Sequence, residues 1–85
     1  MKPYKSVYKE RRWNITQEIK DAEKQVKFFQ RQSDQELAIY WKQYADILKF
    51  YDKTWDIDRI ELTADKSPNE GARDAAYHIL DMEKG

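Results

Sequence analysis

The chain has no cysteine and a single histidine, His78, among its 85 residues. The first absence excludes a disulfide scaffold, a thiolate zinc site, an iron–sulfur cluster and a cysteine nucleophile. The second excludes a multi-histidine metal site. Glycine and proline number two each, and neither occurs between Tyr4 and Lys66, so nothing in that stretch forces a break. No apolar run approaches the ~20 residues that span a bilayer. Residues 1–13 lack the apolar stretch of a signal peptide. With no cysteine either, the expected location is cytoplasmic. Net charge is absent too, with 16 basic against 16 acidic side chains, so the chain is neither a bulk polycation nor an acidic mimic of DNA.

What is present in excess is aromatic: three Trp, six Tyr and three Phe. Disordered chains are poor in such residues, so this composition reads as folded. A chain this short buries roughly 60% of the surface of its unfolded form, and large rings suit a small core. The expectation is one small domain over residues 1–85.

The balanced charge hides an asymmetry. Residues 1–12 carry Lys2, Lys5, Lys9, Arg11 and Arg12 against Glu10 alone. Residues 13–55 carry seven charges of each sign, and residues 56–85 carry eight acids against four bases.

Hydrophobic periodicity places the helices. Ile15, Ile19, Ala22, Val26 and Phe29 step by four and three, which predicts an amphipathic helix over 15–31 capped by Asn14. Ser33-Asp34-Gln35-Glu36 has the S-x-x-E form of a capping box with Ser33 as the cap. Leu37, Trp41, Tyr44, Leu48, Tyr51 and Trp55 continue the spacing, predicting a second helix over 34–55 with Trp41 and Leu48 buried at its centre. The short connection between them predicts an antiparallel hairpin. Ser67-Pro68-Asn69-Glu70 repeats the capping pattern, with Ser67 as the cap and proline at the first helical position. It predicts a third helix over 68–83, whose Ala72, Ala75 and Ala76 allow close approach to a neighbour.

Residues 56–66 are ambiguous. The favoured expectation is that the second helix runs past Trp55 and gives way to a loop. Ile60, Leu62 and Ala64 also alternate as a strand would, so an α+β fold with a two-stranded sheet from residues 4–9 and 57–64 is the alternative. The main expectation is all-α, a helical hairpin plus a third short helix in a three-helix bundle-like arrangement. Residues 1–13 would form a basic aromatic N-terminal arm or a helix extension.

Catalytic constellations are scarce. No Gly-rich phosphate loop, G-x-S-x-G or H-E-x-x-H occurs. Asp56-x-Asp58-x-x-Glu61 resembles a cation loop only superficially, since the central glycine and terminal glutamate of a calcium site are missing. No metal, no cofactor and no catalytic residue is expected. The expected function is that of a non-enzymatic interaction module, a regulator or inhibitor that binds a larger protein. Small cysteine-free chains of this sort are common among regulators carried by phages and mobile elements. Self-association through the helical seam is a further expectation.

Phe28, Ile39 and Phe50 lie off the helical stripes, so they are the candidate partner-binding residues. The alternative function is that of a nucleic-acid accessory protein. There the arm residues Lys2, Tyr4, Lys5, Tyr8, Lys9, Arg11, Arg12 and Trp13 would place cations on phosphates and rings on bases.

Overall fold

A computed structural model describes residues 13–84. Four helices follow one another: α1 (Ile15–Arg31), α2 (Gln35–Thr54), α3 (Ile57–Lys66) and α4 (Glu70–Lys84). No strand occurs among the described residues. The all-α expectation holds, but the described residues form one helix more than the three expected. The 57–64 half of the alternative sheet is helical, and its other half, residues 4–9, lies outside the described residues.

Each of the first three helices begins at an Asx cap. Asn14 Oδ1 accepts the Gln17 N–H at 3.1 Å, Asp34 Oδ1 the Leu37 N–H at 3.2 Å, and Asp56 Oδ1 the Arg59 N–H at 3.0 Å. The short side chain substitutes for the missing carbonyl of the preceding turn. The second cap corrects the expectation for Ser33. That residue has φ 60° and forms the left-handed exit of α1. The Asp34 N–H reaches back to the Phe29 carbonyl (2.9 Å) and the Ser33 N–H to the Gln30 carbonyl (3.1 Å). This is a Schellman closure with serine in the place usually held by glycine, so the cap falls to the next residue.

Helix α2 ends earlier than expected. Trp55 has φ 57° and ψ 24°, the left-handed region, with its N–H bonded to the Tyr51 carbonyl at 2.8 Å. Such a conformation costs a non-glycine residue about 1–2 kcal/mol. Packing holds it, since the Trp55 ring lies 5.8 Å from that of Tyr51 and against the core. The chain then turns into α3. The apparent strand alternation of Ile60, Leu62 and Ala64 counted a residue that faces solvent, because Leu62 is 51% exposed. Without it, Ile57, Ile60 and Ala64 step by three and four, as one helix face does.

At the start of α4 the Asn69 carbonyl accepts the first helical bond, from the Arg73 N–H at 3.0 Å. Ser67 instead accepts the Asn69 N–H on its Oγ at 3.2 Å, one residue short of the expected cap on Glu70. The first turn of α4 is capped from another helix: Gln43 Oε1 of α2 accepts the Gly71 N–H at 3.2 Å.

The packing is α1 on α2, α2 on α4, and α3 on α4, with only slight α2–α3 contact. Ile15, Leu48, Tyr51, Ile60, Ala64, Ala76 and Ile79 join Trp13 in a core to which all four helices contribute. Two neighbours divide the apolar face of α2. Ala38 and Ala45 are buried whereas Leu37 is 39% exposed and Trp41 only half-buried, which corrects the expectation of a Leu37–Trp41 seam with Trp41 at its centre. Ala22 of α1 is buried as well. Small residues at the contact let the backbones approach and push the large side chains to its margins. On its other side α2 meets α4 through buried Gly71, Ala72, Ala75 and Ala76, as expected for the alanines. None of the four helices is long and apolar enough to cross a membrane.

Candidate partner interface

The hairpin geometry sends three large apolar side chains outward at one end. The α1 stripe facing α2 ends in Phe29, and one residue along a helix is 100° around it, so Phe28 points away. It is 49% exposed and stands edge-on to Phe29 with ring centroids 5.0 Å apart. Around buried Ala38, Leu37 and Ile39 project to either side, and Ile39 is 56% exposed. At 1.5 Å per residue, all three lie within about 6 Å, along their helices, of the turn that joins α1 to α2.

Phe50 does not belong to this tip. It lies 11 residues beyond Ile39, about 16 Å along α2. It is half-buried against the core, beside Ile47 and Leu62. The three-turn spacing puts Ile39 and Phe50 on one face of α2. The reversal after Trp55 then brings α3 beside the second of them and leaves the first open. The three candidate residues therefore divide between the tip and a groove.

The arm residues Lys2, Tyr4, Lys5, Tyr8, Lys9, Arg11 and Arg12 lie outside the described residues. Trp13 is described, and it corrects the expectation of a base-stacking ring. It is 6% exposed, donates its Nε1–H to Glu83 Oε2 at 3.3 Å, and meets His78 edge-on at 5.8 Å. It packs in the core cluster.

The polar groups at the α1–α2–α4 junction tie helices together. His78 Nε2 lies 2.6 Å from Glu18 Oε1, both side chains about one-third exposed, linking α4 to α1. Tyr40 donates its hydroxyl to Asp74 Oδ2 at 2.6 Å, linking α2 to α4. Burial, and then this bond to a carboxylate, push the Tyr40 pKa well above its ordinary value of 10. Tyr44 is raised by burial and by the carboxylates of Glu18 and Asp74. Both phenols are thus held protonated, as donors rather than bases. On the side of the hairpin lined by Lys27 and Lys42, Lys49 Nζ meets Glu23 Oε2 at 2.6 Å. That pair lowers the Glu23 pKa and raises that of Lys49. No group of three or more acidic, histidine or cysteine side chains able to hold a metal occurs among the described residues. Asp56, the first residue of the apparent cation loop, is a helix cap.

Sequence reasoning overlooked Leu37, Leu62 and Gly71. Leu37 fitted the helical period, and only the presence of Ala38 beside it signalled that a smaller residue could take the contact. Gly71 offered no signal beyond its position inside a helical stretch, where glycine is disfavoured and implies a packing reason. No protein-family model matches the chain, and neither a curated protein nor a solved structure is significantly similar to it.

Proposed function

We propose that this protein is a non-enzymatic interaction module, a regulator or inhibitor that docks on a larger protein through the α1–α2 tip. The observation that carries this reading is the clustering of exposed apolar side chains. Of the five large ones that are exposed among the described residues, Phe28, Leu37 and Ile39 share one end of the hairpin. Fully burying such a side chain is worth about 1.5–3 kcal/mol, and each of these has roughly half of that still to gain. Binding energy concentrates in a few anchors of this kind. The burial of Trp13 weighs against the arm as a nucleic-acid platform, because one of its three rings is committed to the core. A cytoplasmic partner suits a chain without cysteine.

The test compares the wild type with Phe28→Asp/Ile39→Asp, first in affinity capture and then by calorimetry with the purified partner. Both side chains are exposed, so the variant should melt like the wild type while losing at least about tenfold in affinity. Equal binding by both would remove the tip from the interface. If charge reversal at Lys5, Lys9, Arg11 and Arg12 abolished binding, with salt-sensitive retention on single-stranded DNA, the nucleic-acid reading would replace this one. Sedimentation across a concentration series tests whether the tip instead pairs with a second copy.

A further inference from the structure

The groove between α2, α3 and α4 is a second surface, independent of the tip. Its apolar lining is Ile47, Phe50, Leu62 and Ala72, its charged lining is Arg59 and Lys66, and the other residues around it are neutral. Residues 56–85 hold twice as many acids as bases, yet two of those bases and none of the acids line the groove. Helix α3 produces this by carrying three stripes. Ile57, Ile60 and Ala64 face inward. Asp58, Glu61 and Asp65 step by three and four on an acidic face. Arg59, Leu62, Thr63 and Lys66 form the third face, which is turned to the groove. Arg59 makes no ion pair among the described residues. Lys66 reaches only its neighbour Asp65, at 4.0 Å, with both side chains more than 70% exposed. The cations are therefore available, and Leu62 stands exposed between them.

We propose that this groove binds an acidic amphipathic helix of a partner protein. Arg59 and Lys66 are seven residues apart, about 10 Å along α3. A ligand helix lying along α3 would match them with carboxylates at i and i+7. Apolar residues at i+3 and i+4 would fall between, over Leu62 and Phe50, as helix-in-groove recognition requires. Complementary charge sets the orientation and the on-rate, and the apolar anchors hold the complex.

Titration of the full, isotope-labelled chain followed by NMR tests this directly. The probe is a synthetic amphipathic helical peptide with glutamate at i and i+7 and leucine at i+3 and i+4. Its control has lysine at the two charged positions. The acidic peptide should shift the amides of Ile47, Phe50, Leu62, Thr63 and Ala72, while the lysine peptide binds at least about tenfold more weakly. Arg59→Glu/Lys66→Gln should lose a similar factor and reverse the preference. Residue 59 lies in the first turn of α3, where a carboxylate favours the helix, so the fold is retained. Leu62→Ser, at an exposed position, should weaken the acidic peptide without changing the charge preference. Equal binding of the two peptides, shifts centred on Phe28 and Ile39, or no binding of the acidic peptide would each overturn the proposal. So would a medium-chain fatty carboxylate that reproduces the shifts while the acidic peptide is silent, which would assign the groove to a small amphiphile.

Discussion

Replacing Gly71 by alanine sets two physical effects against each other, and the structure decides between them. In an isolated helix the change is favourable by about 1 kcal/mol, because alanine loses less backbone entropy than glycine. Here, however, a Cβ on Gly71 would fall inside van der Waals contact with the Tyr40 carbonyl oxygen and 3.0 Å from the Gln43 Cβ. The first obstacle is backbone inside a helix, so no rotamer change relieves it. Helix α4 must instead move off α2. Overpacking of this kind costs roughly 1–3 kcal/mol. The same movement weakens the Gly71 N–H bond to Gln43, worth about 1 kcal/mol, and strains the Tyr40–Asp74 bond one turn further on. After the propensity gain is subtracted, Gly71→Ala should destabilise by about 2 kcal/mol, near the typical cost of overpacking. For a domain of this size that is a fall in Tm of roughly 10 °C. Thermal melting followed by circular dichroism at 222 nm measures it. A Tm equal to or above that of the wild type would mean that propensity wins, and would refute the close approach of α4 to α2.

Two other outcomes follow from local geometry. Asp34→Ala should cost about 0.5–2 kcal/mol through loss of the α2 cap, whereas Ser33→Gly should stabilise by up to about 1 kcal/mol by relieving the left-handed conformation; the reverse ranking in urea midpoints would restore Ser33 as the cap. Tyr40→Phe should lower stability near neutral pH by about 1–2 kcal/mol, as loss of a hydrogen bond to a carboxylate does. Because the folded-state pKa of Tyr40 is raised above 10, by burial first and Asp74 second, its contribution is fully present below pH 10 and is lost as pH rises beyond it. The gap between wild type and variant should therefore close in that alkaline range, and a gap independent of pH would contradict the assignment.

Helices α1, α2 and α4 and the antiparallel hairpin were legible along the chain. The stripe from Ile15 to Phe29, the cap at Asn14 and the brevity of the 31–34 connection are local features, and local hydrogen bonding and periodicity act on them without reference to the rest of the chain. The alanines of α4 were legible for the same reason, since small residues at helical spacing admit close contact whatever the partner. The outward placement of Phe28 and Ile39 followed from the stripe geometry of a single helix.

Tertiary structure decided the rest. Whether Leu37 or Ala38 faces α1 depends on how near α1 comes, and both positions fit a helical period. The left-handed turn at Trp55 is unfavourable locally and persists because the indole packs against Tyr51 and the core. That turn creates α3, reverses the chain, and places α3 beside Phe50, so it divides one expected surface into a tip and a groove. The need for glycine at position 71 arises from a carbonyl 31 residues earlier in the chain. Trp13, read from sequence as part of an exposed arm, is core because α4 brings His78 and Glu83 to it. In each case the deciding interaction joins residues distant in sequence, and a pattern along the chain carries no information about which distant backbone will arrive there.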